Sequence, residues 1–400
     1  MAKVKCRTCK DSGFEGRGNG YADVCTDCGG QSAWAATFQG PALYIDSGKR
    51  ITTHSMLSSM RRCANQTRYK YAERLKVRYA TKRDRPLKRG TWFHALLEEH
   101  YAGRSWKAKH AEFTEKYHNL MDEEKEALGD LPHELRDMMR SYLWHYGADK
   151  NDPHHGTRTI ATELMLECPW PDSEDGLDIY RCRVDRLYED EWGLWIEDTK
   201  TNKTLPNNAV RILDAASPLY IWCARENGYP VEGFVWNYIR AKVPTKPTLS
   251  YAGTKREGLS KKAIDTDYPT MIRGLRELGL NPGDYKELLR PLYNQRYRHG
   301  EVQTSPFFRR DLLEKDEGML QRAVAAGMRT RDRMHGYEWD DPDSVERSNE
   351  RSCEWMCSFT NLCMTELKGG DALTLRRREF RVGDPLDYYQ DKPEPESEGV

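Results

Sequence analysis

This 400-residue chain has no net charge and no long apolar run. Lysine and arginine total 63, and aspartate and glutamate also total 63. No global field therefore attracts a polyanion, and any nucleic-acid contact must come from local basic patches. No stretch approaches the roughly eighteen to twenty apolar residues that cross a bilayer, which excludes a membrane-spanning helix. Met1 to Lys10 is polar and contains cysteine where a secretory leader needs an apolar core, so a cytoplasmic setting is expected. Apolar residues at 38% and charged residues at 32% predict a soluble, largely folded protein rather than a disordered one.

Cysteine is plentiful, with 11 in the chain. In a reducing compartment that count points to metal or thiol chemistry rather than to disulfides. Cys6-x-x-Cys9 and Cys25-x-x-Cys28 form two short knuckles around a glycine-rich loop. Four thiolates so spaced can enclose a structural Zn²⁺ tetrahedrally, with iron or free thiols as the alternatives. A second group, Cys353, Cys357 and Cys363, supplies three soft ligands, one short of a closed site. Cys168, Cys182 and Cys223 stand alone in apolar surroundings and read as small buried hydrophobes.

The order of elements reads as a mixed α/β core. Ser55 to about Tyr79 and the segment after Pro86 have helical spacing, as does Lys107 to Trp144. Asp178 to Lys200 reads as a hairpin turning at Glu191 and Trp192. Ile212 to Arg225 reads as a helix despite Pro218, and Val231 to Ile239 as a strand. Asp265 to Leu280 and Phe307 to Met334 read as helices. The expected domains are a zinc module over 1–35, a connector over 36–54, a main domain over 55–370 with a helical region at 245–340, and an acidic, unstructured tail over 371–400.

The chemistry concentrates in the hairpin. Side chains two apart on a strand share a face, so Asp198 and Lys200 emerge together while Glu197 and Thr199 point away. A turn centred on 191 and 192 sets Asp185 opposite Asp198, where cross-strand neighbours are about 5 Å apart. Two close carboxylates repel unless protonated or bridged by a cation, and Mg²⁺ or Mn²⁺ suits oxygen donors. Such an ion can bind a phosphate and activate water. Lys200 can orient or deprotonate that water, or neutralise a phosphate transition state.

Taken with Gly90, His94, Glu163 and Tyr220, the stretch CRVDRLYEDEWGLWIEDTKTNK resembles the core of the PD-(D/E)XK nuclease superfamily, in particular its RecB-like, CRISPR-associated iron–sulfur exonuclease branch. The resemblance spans most of Cys63 to Cys363. It implies a restriction-endonuclease-like mixed sheet flanked by helices, with His94, Asp185 and Asp198 as metal ligands, Lys200 as catalytic, and Glu163 as an added acid. Tyr220 matches the tyrosine of a Gln-x-x-x-Tyr helix, although Ala216 stands where glutamine belongs. The same resemblance joins Cys63 to Cys353, Cys357 and Cys363 around a 4Fe–4S cluster, with three residues rather than two between the first pair; a second zinc and packed thiols are the alternatives.

The implied activity is exonucleolytic DNA hydrolysis in recombination, repair or viral DNA processing, in a virus-encoded setting, with a recombination or single-strand-binding protein as partner. Lys70 to Lys88, Lys242 to Lys246, Lys255, Arg256, Arg309 and Arg310 are candidate DNA contacts. The competing readings are a catalytically weak DNA-binding protein with a nuclease fold and a zinc-dependent interaction module.

Overall fold

The computed structural model describes residues 14–17, 21–24, 43–78, 84–147, 156–206, 213–251, 253, 258–298, 301–302, 305–354 and 357–386. The elements used below are β1 (Ile45–Asp46), β2 (Lys49–Thr53), α1 (His54–Arg62), α2 (Arg85–Tyr101), α3 (Leu131–Gly147), β3 (Arg158–Pro169), β4 (Asp178–Asp190), β5 (Gly193–Asn202), α4 (Ala216–Glu226), β6 (Val231–Arg240), β7 (Phe308–Leu313), α5 (Glu317–His335), α6 (Thr360–Leu367) and α7 (Ala372–Glu379). The architecture is mixed α/β. Among the described residues no helix is long and apolar enough to cross a membrane.

The chain divides into two compact units. The first comprises Met1–Arg83, Met165–Arg183 and Glu317–Val400, and the second Asp84–Leu164 and Val184–Asp316. Strands β3 and β4 pass through both.

In the second unit the strand order is β7-β6-β5-β4. β4 and β5 are antiparallel, pairing Arg186 with Glu197, Leu187 with Ile196 and Asp190 with Gly193. Glu191 and Trp192 form the turn, as the sequence predicts, and the Asp190 carboxylate accepts from the backbone N–H of Trp192 at 2.8 Å. β5 runs parallel to β6 and β7 antiparallel to it. Helix α2 turns Trp92, Phe93, Leu96 and Leu97 into a core shared with Met138, Met139 and Tyr142 of α3 and with Ile239, Phe307 and Phe308. Burial at that helical spacing is what holds α2, and hence His94, in place.

Three expectations change. Phe307 to Met334 is not one helix: Phe308–Leu313 is a strand paired with Phe234–Ile239, and the helix begins at Glu317. Phe307 and Phe308 are consecutive and both buried, and the β6 edge offers hydrogen bonds that a helix would forgo. Ser55 to Tyr79 is helical only to Ala72, after which Leu75–Val77 pairs with Phe380–Val382. That pairing, together with α7, folds the first part of the segment read as an unstructured tail; Phe380 and Leu386 are buried. Residues 387–400 lie outside the described residues.

The first unit joins β1 to β2 and β2, in parallel, to the first residues of β4. Its core gathers Ile51, Met56, Met60, Tyr71 and Ile179 with Met334, Trp339 and Leu386.

Candidate active site

The hairpin register sets the site. Pairing of Arg186 with Glu197, continued by one step, puts Asp185 opposite Asp198 on the face that also carries Lys200. The opposite face is used differently. Glu197, 1% exposed, pairs with Arg310 at 3.2 Å and Arg186 at 3.6 Å. The alternation expected from the sequence holds here, since Glu197 meets Arg310 and Arg186 while Asp198 meets Lys200.

His94, on α2, places Nδ1 3.1 Å from Asp185 Oδ2. The same carboxylate oxygen accepts the backbone N–H of Thr199 at 2.8 Å. Asp198 Oδ2 forms a close ion pair with Lys200 Nζ. Burial opposes ionisation of Asp185, but His94, Lys200 and the Thr199 N–H outweigh it and hold its carboxyl below the usual range. Burial and the charge of Asp185 push Asp198 up to about 6, against the pull of Lys200. For His94, burial lowers the pKa and Asp185 more than restores it, so the net shift is upward. Two acids shifted in opposite directions are the mark of carboxylates sharing one small volume.

Glu163 reaches the same place by a backbone device. It lies within β3 but has φ of +51°, a left-handed conformation that non-glycine residues seldom adopt inside a strand. It lines a cavity of about 10 Å³ together with His94, Glu98, Tyr101, Asp185 and Thr199, a volume on the scale of one water molecule. Strain of this kind persists where the surroundings fix it, commonly at functional sites. Gly90, one turn before His94, faces open space, since a Cβ there would meet nothing within 4 Å. Tyr220 is buried on α4 with its ring 5.9 Å from that of Phe234. Pro218 is tolerated because it falls in the first turn of α4, where backbone N–H groups lack intrahelical partners. The Asp214 carboxylate accepts two of those N–H groups, from Ala216 at 3.2 Å and Ser217 at 2.7 Å.

The donors suit a hard cation, being carboxylate oxygens with one imidazole. Burial and the neighbouring Asp185 disfavour a negative charge on Asp198, and a cation bound there would offset that cost. Each carboxylate is turned toward an internal cationic partner, Asp185 to His94 and Asp198 to Lys200. Among the described residues no group of three or more His, Cys, Asp or Glu side chains is drawn together tightly enough to hold an ion.

Two contributors escape a reading of the sequence. Glu98 follows His94 at i+4 on α2, a spacing that could have revealed it. Thr199 acts through its backbone N–H, which no side-chain pattern reports.

Five of the basic residues proposed as DNA contacts are engaged within the protein. Arg310 is buried against Glu197 and donates to Tyr101 Oη at 2.7 Å, so it is not available to a phosphate. Arg309 pairs with Asp311, Lys242 with Asp265, Lys246 with Glu277, and Arg85 with Glu134. Lys255 and Arg256 lie outside the described residues.

In the first unit Cys63, Cys353, Cys357 and Cys363 line one cavity of about 450 Å³. Asn65 Nδ2 lies 3.5 Å from Cys363 Sγ, and burial raises the Cys357 thiol pKa. Cys168, Cys182 and Cys223 are buried, as expected. Cys6, Cys9, Cys25 and Cys28 lie outside the described residues.

A family model described as the PD-(D/E)XK nuclease superfamily matches residues 52–364. No curated protein matches the chain.

Proposed function

Because the chain belongs to the PD-(D/E)XK nuclease superfamily, whose members are generally hydrolytic nucleases acting on nucleic acid, we propose that it is a Mg²⁺- or Mn²⁺-dependent DNA exonuclease serving recombination, repair or viral DNA processing. The observation that carries this reading is the meeting of two carboxylates with opposed pKa shifts, from the paired strands β4 and β5, beside the Lys200 ammonium on one sheet face.

Asp185, Asp198 and His94 would hold the ion, with Glu163 as an additional oxygen donor. Bound there, the ion supplies a Lewis acid for a phosphoryl oxygen and a water of lowered pKa. His94 and the Thr199 N–H fix the Asp185 carboxylate from two sides. Lys200, with its side chain 47% exposed, carries an ammonium that can meet a phosphate or the attacking water.

For the first unit we propose a 4Fe–4S cluster held by Cys63, Cys353, Cys357 and Cys363. Support comes from their lining one cavity and from the Asn65 amide beside one sulfur. Such a cluster would be a structural clamp, with no electron transfer required. A structural zinc at Cys6, Cys9, Cys25 and Cys28 is proposed from spacing alone.

The test is anaerobic purification with iron, sulfide and zinc analysis, followed by digestion of end-labelled single- and double-stranded DNA. Cleavage is expected with Mg²⁺ or Mn²⁺ and none with EDTA, with mononucleotides or short oligonucleotides released from an end. Intact DNA under every condition overturns the nuclease reading. Zinc without iron at the C-terminal cysteines overturns the cluster.

A further inference from the structure

We infer that Trp236 is a positioning residue for Lys200: its indole face holds the lysine ammonium beside Asp198. The inference rests on the nuclease reading, in which Trp236 has no role. β6 runs parallel to β5 with Asp198 beside Trp236 and Lys200 beside Tyr238, so all four side chains share one sheet face. Lys200 Nζ stands 5.1 Å from the centroid of the Trp236 ring. The ring is itself fixed, 5% exposed and set between Phe234 at 4.7 Å and Tyr238 at 6.0 Å. Its N–H has no hydrogen-bond acceptor among the described residues. A hydrogen bond therefore does not account for an indole at this position, whereas its face does, because tryptophan binds cations more strongly than the other aromatic rings.

The chemistry requires such an anchor. Lysine is a compact charge on a flexible four-carbon stem and loses much rotamer freedom when held still. Asp198 holds the ammonium through its donors, and the proposed chemistry also needs Asp198 for a cation. An aromatic face restrains the ammonium through its charge without binding a carboxylate to it, so the N–H groups stay available to the reacting phosphate or water.

The test uses the full-length protein with tryptophan at 236 replaced site-specifically by mono-, di- and trifluorinated tryptophan. Fluorine withdraws density from the ring face while nearly preserving its shape. With end-labelled DNA and Mn²⁺, kcat is expected to fall stepwise by roughly threefold or more across the series, with KM and melting temperature unchanged. A second readout is independent of activity: the Lys200 ε-methylene protons should resonate upfield from the ring current and lose that shift in Trp236→Leu. A flat kcat across the series, or ε-methylene protons at ordinary positions in the unsubstituted protein, overturns the inference and leaves the nuclease reading intact. Failure of the unsubstituted protein to cut DNA overturns the reading beneath it.

Discussion

Single residues here are set by charges that burial would otherwise forbid. His145 is 2% exposed, and its Nδ1 lies 2.7 Å from Arg296 Nη1, so the ring must be neutral to accept that donor. Burial, with Arg296 and Arg310 nearby, lowers its pKa from 6.5 to about 3. Between those values the unfolded chain takes up a proton that the folded chain refuses, so this contribution to stability is complete above pH 6.5 and declines as pH falls. By urea denaturation the wild type should lose about 2 kcal/mol more than His145→Asn between pH 7 and pH 5; parallel losses would show that His145 is not the titrating group. Glu163 yields a catalytic prediction. It has a left-handed backbone and lines the cavity shared with His94 and Asp185, so Glu163→Gln should lower kcat by roughly tenfold or more with little change in melting temperature. Unaltered turnover would return Glu163 to a packing role. Asp185, Asp198 and Lys200 were legible in the sequence because strand alternation and the turn position determine which side chains meet. Glu163 needed the resemblance as well, since its φ of +51° departs from the strand geometry that alternation assumes.

At the scale of elements, β5, β6 and β7 approach one another closely at Gly233. A Cβ there would lie 2.8 Å from the Leu313 carbonyl oxygen and 2.8 Å from the Trp195 ring. The register between β5 and β6 shifts at the same point, between Leu194 and Trp195. Gly233→Ala should therefore cost about 1–3 kcal/mol, through overpacking against a backbone that cannot move aside. A melting temperature equal to wild type would contradict that close packing. The β4–β5 hairpin and β6 could be anticipated because apolar residues and turn signals occur at strand period. β7 could not, since FFRRDLL has no clean alternation: Arg310 is buried by its pairing with Glu197, a partner more than a hundred residues earlier in the chain. The Leu75–Val77 and Phe380–Val382 pair is similarly hidden, its short strands lying far apart in the sequence.

For the molecule as a whole, sequence-distant segments of the first unit are joined by a buried charge cluster beside the cysteine cavity. Glu366 is paired with both Arg68 and Arg376 and accepts the Tyr69 hydroxyl, and Arg376 also meets Glu73. Removing the charge at Glu366 leaves the largely buried guanidinium groups of Arg68 and Arg376 sharing Glu73 as their remaining carboxylate, so Glu366→Gln should cost about 1–3 kcal/mol in denaturant unfolding. A loss below 1 kcal/mol would mean that the cysteines and the apolar core hold these segments by themselves. Nothing in the sequence pairs residues 68 and 366, because such charges are ordinary surface residues until the fold brings them together. Metal-dependent hydrolysis of DNA at the Asp185, Asp198 and Lys200 face is put to the test by Mg²⁺- or Mn²⁺-supported digestion of end-labelled DNA by wild type, Asp198→Ala and Lys200→Ala, each shown to be folded by circular dichroism. Cleavage by the wild type and a loss of roughly 10²- to 10⁴-fold in each variant is the predicted result; equal cleavage by all three proteins would contradict it.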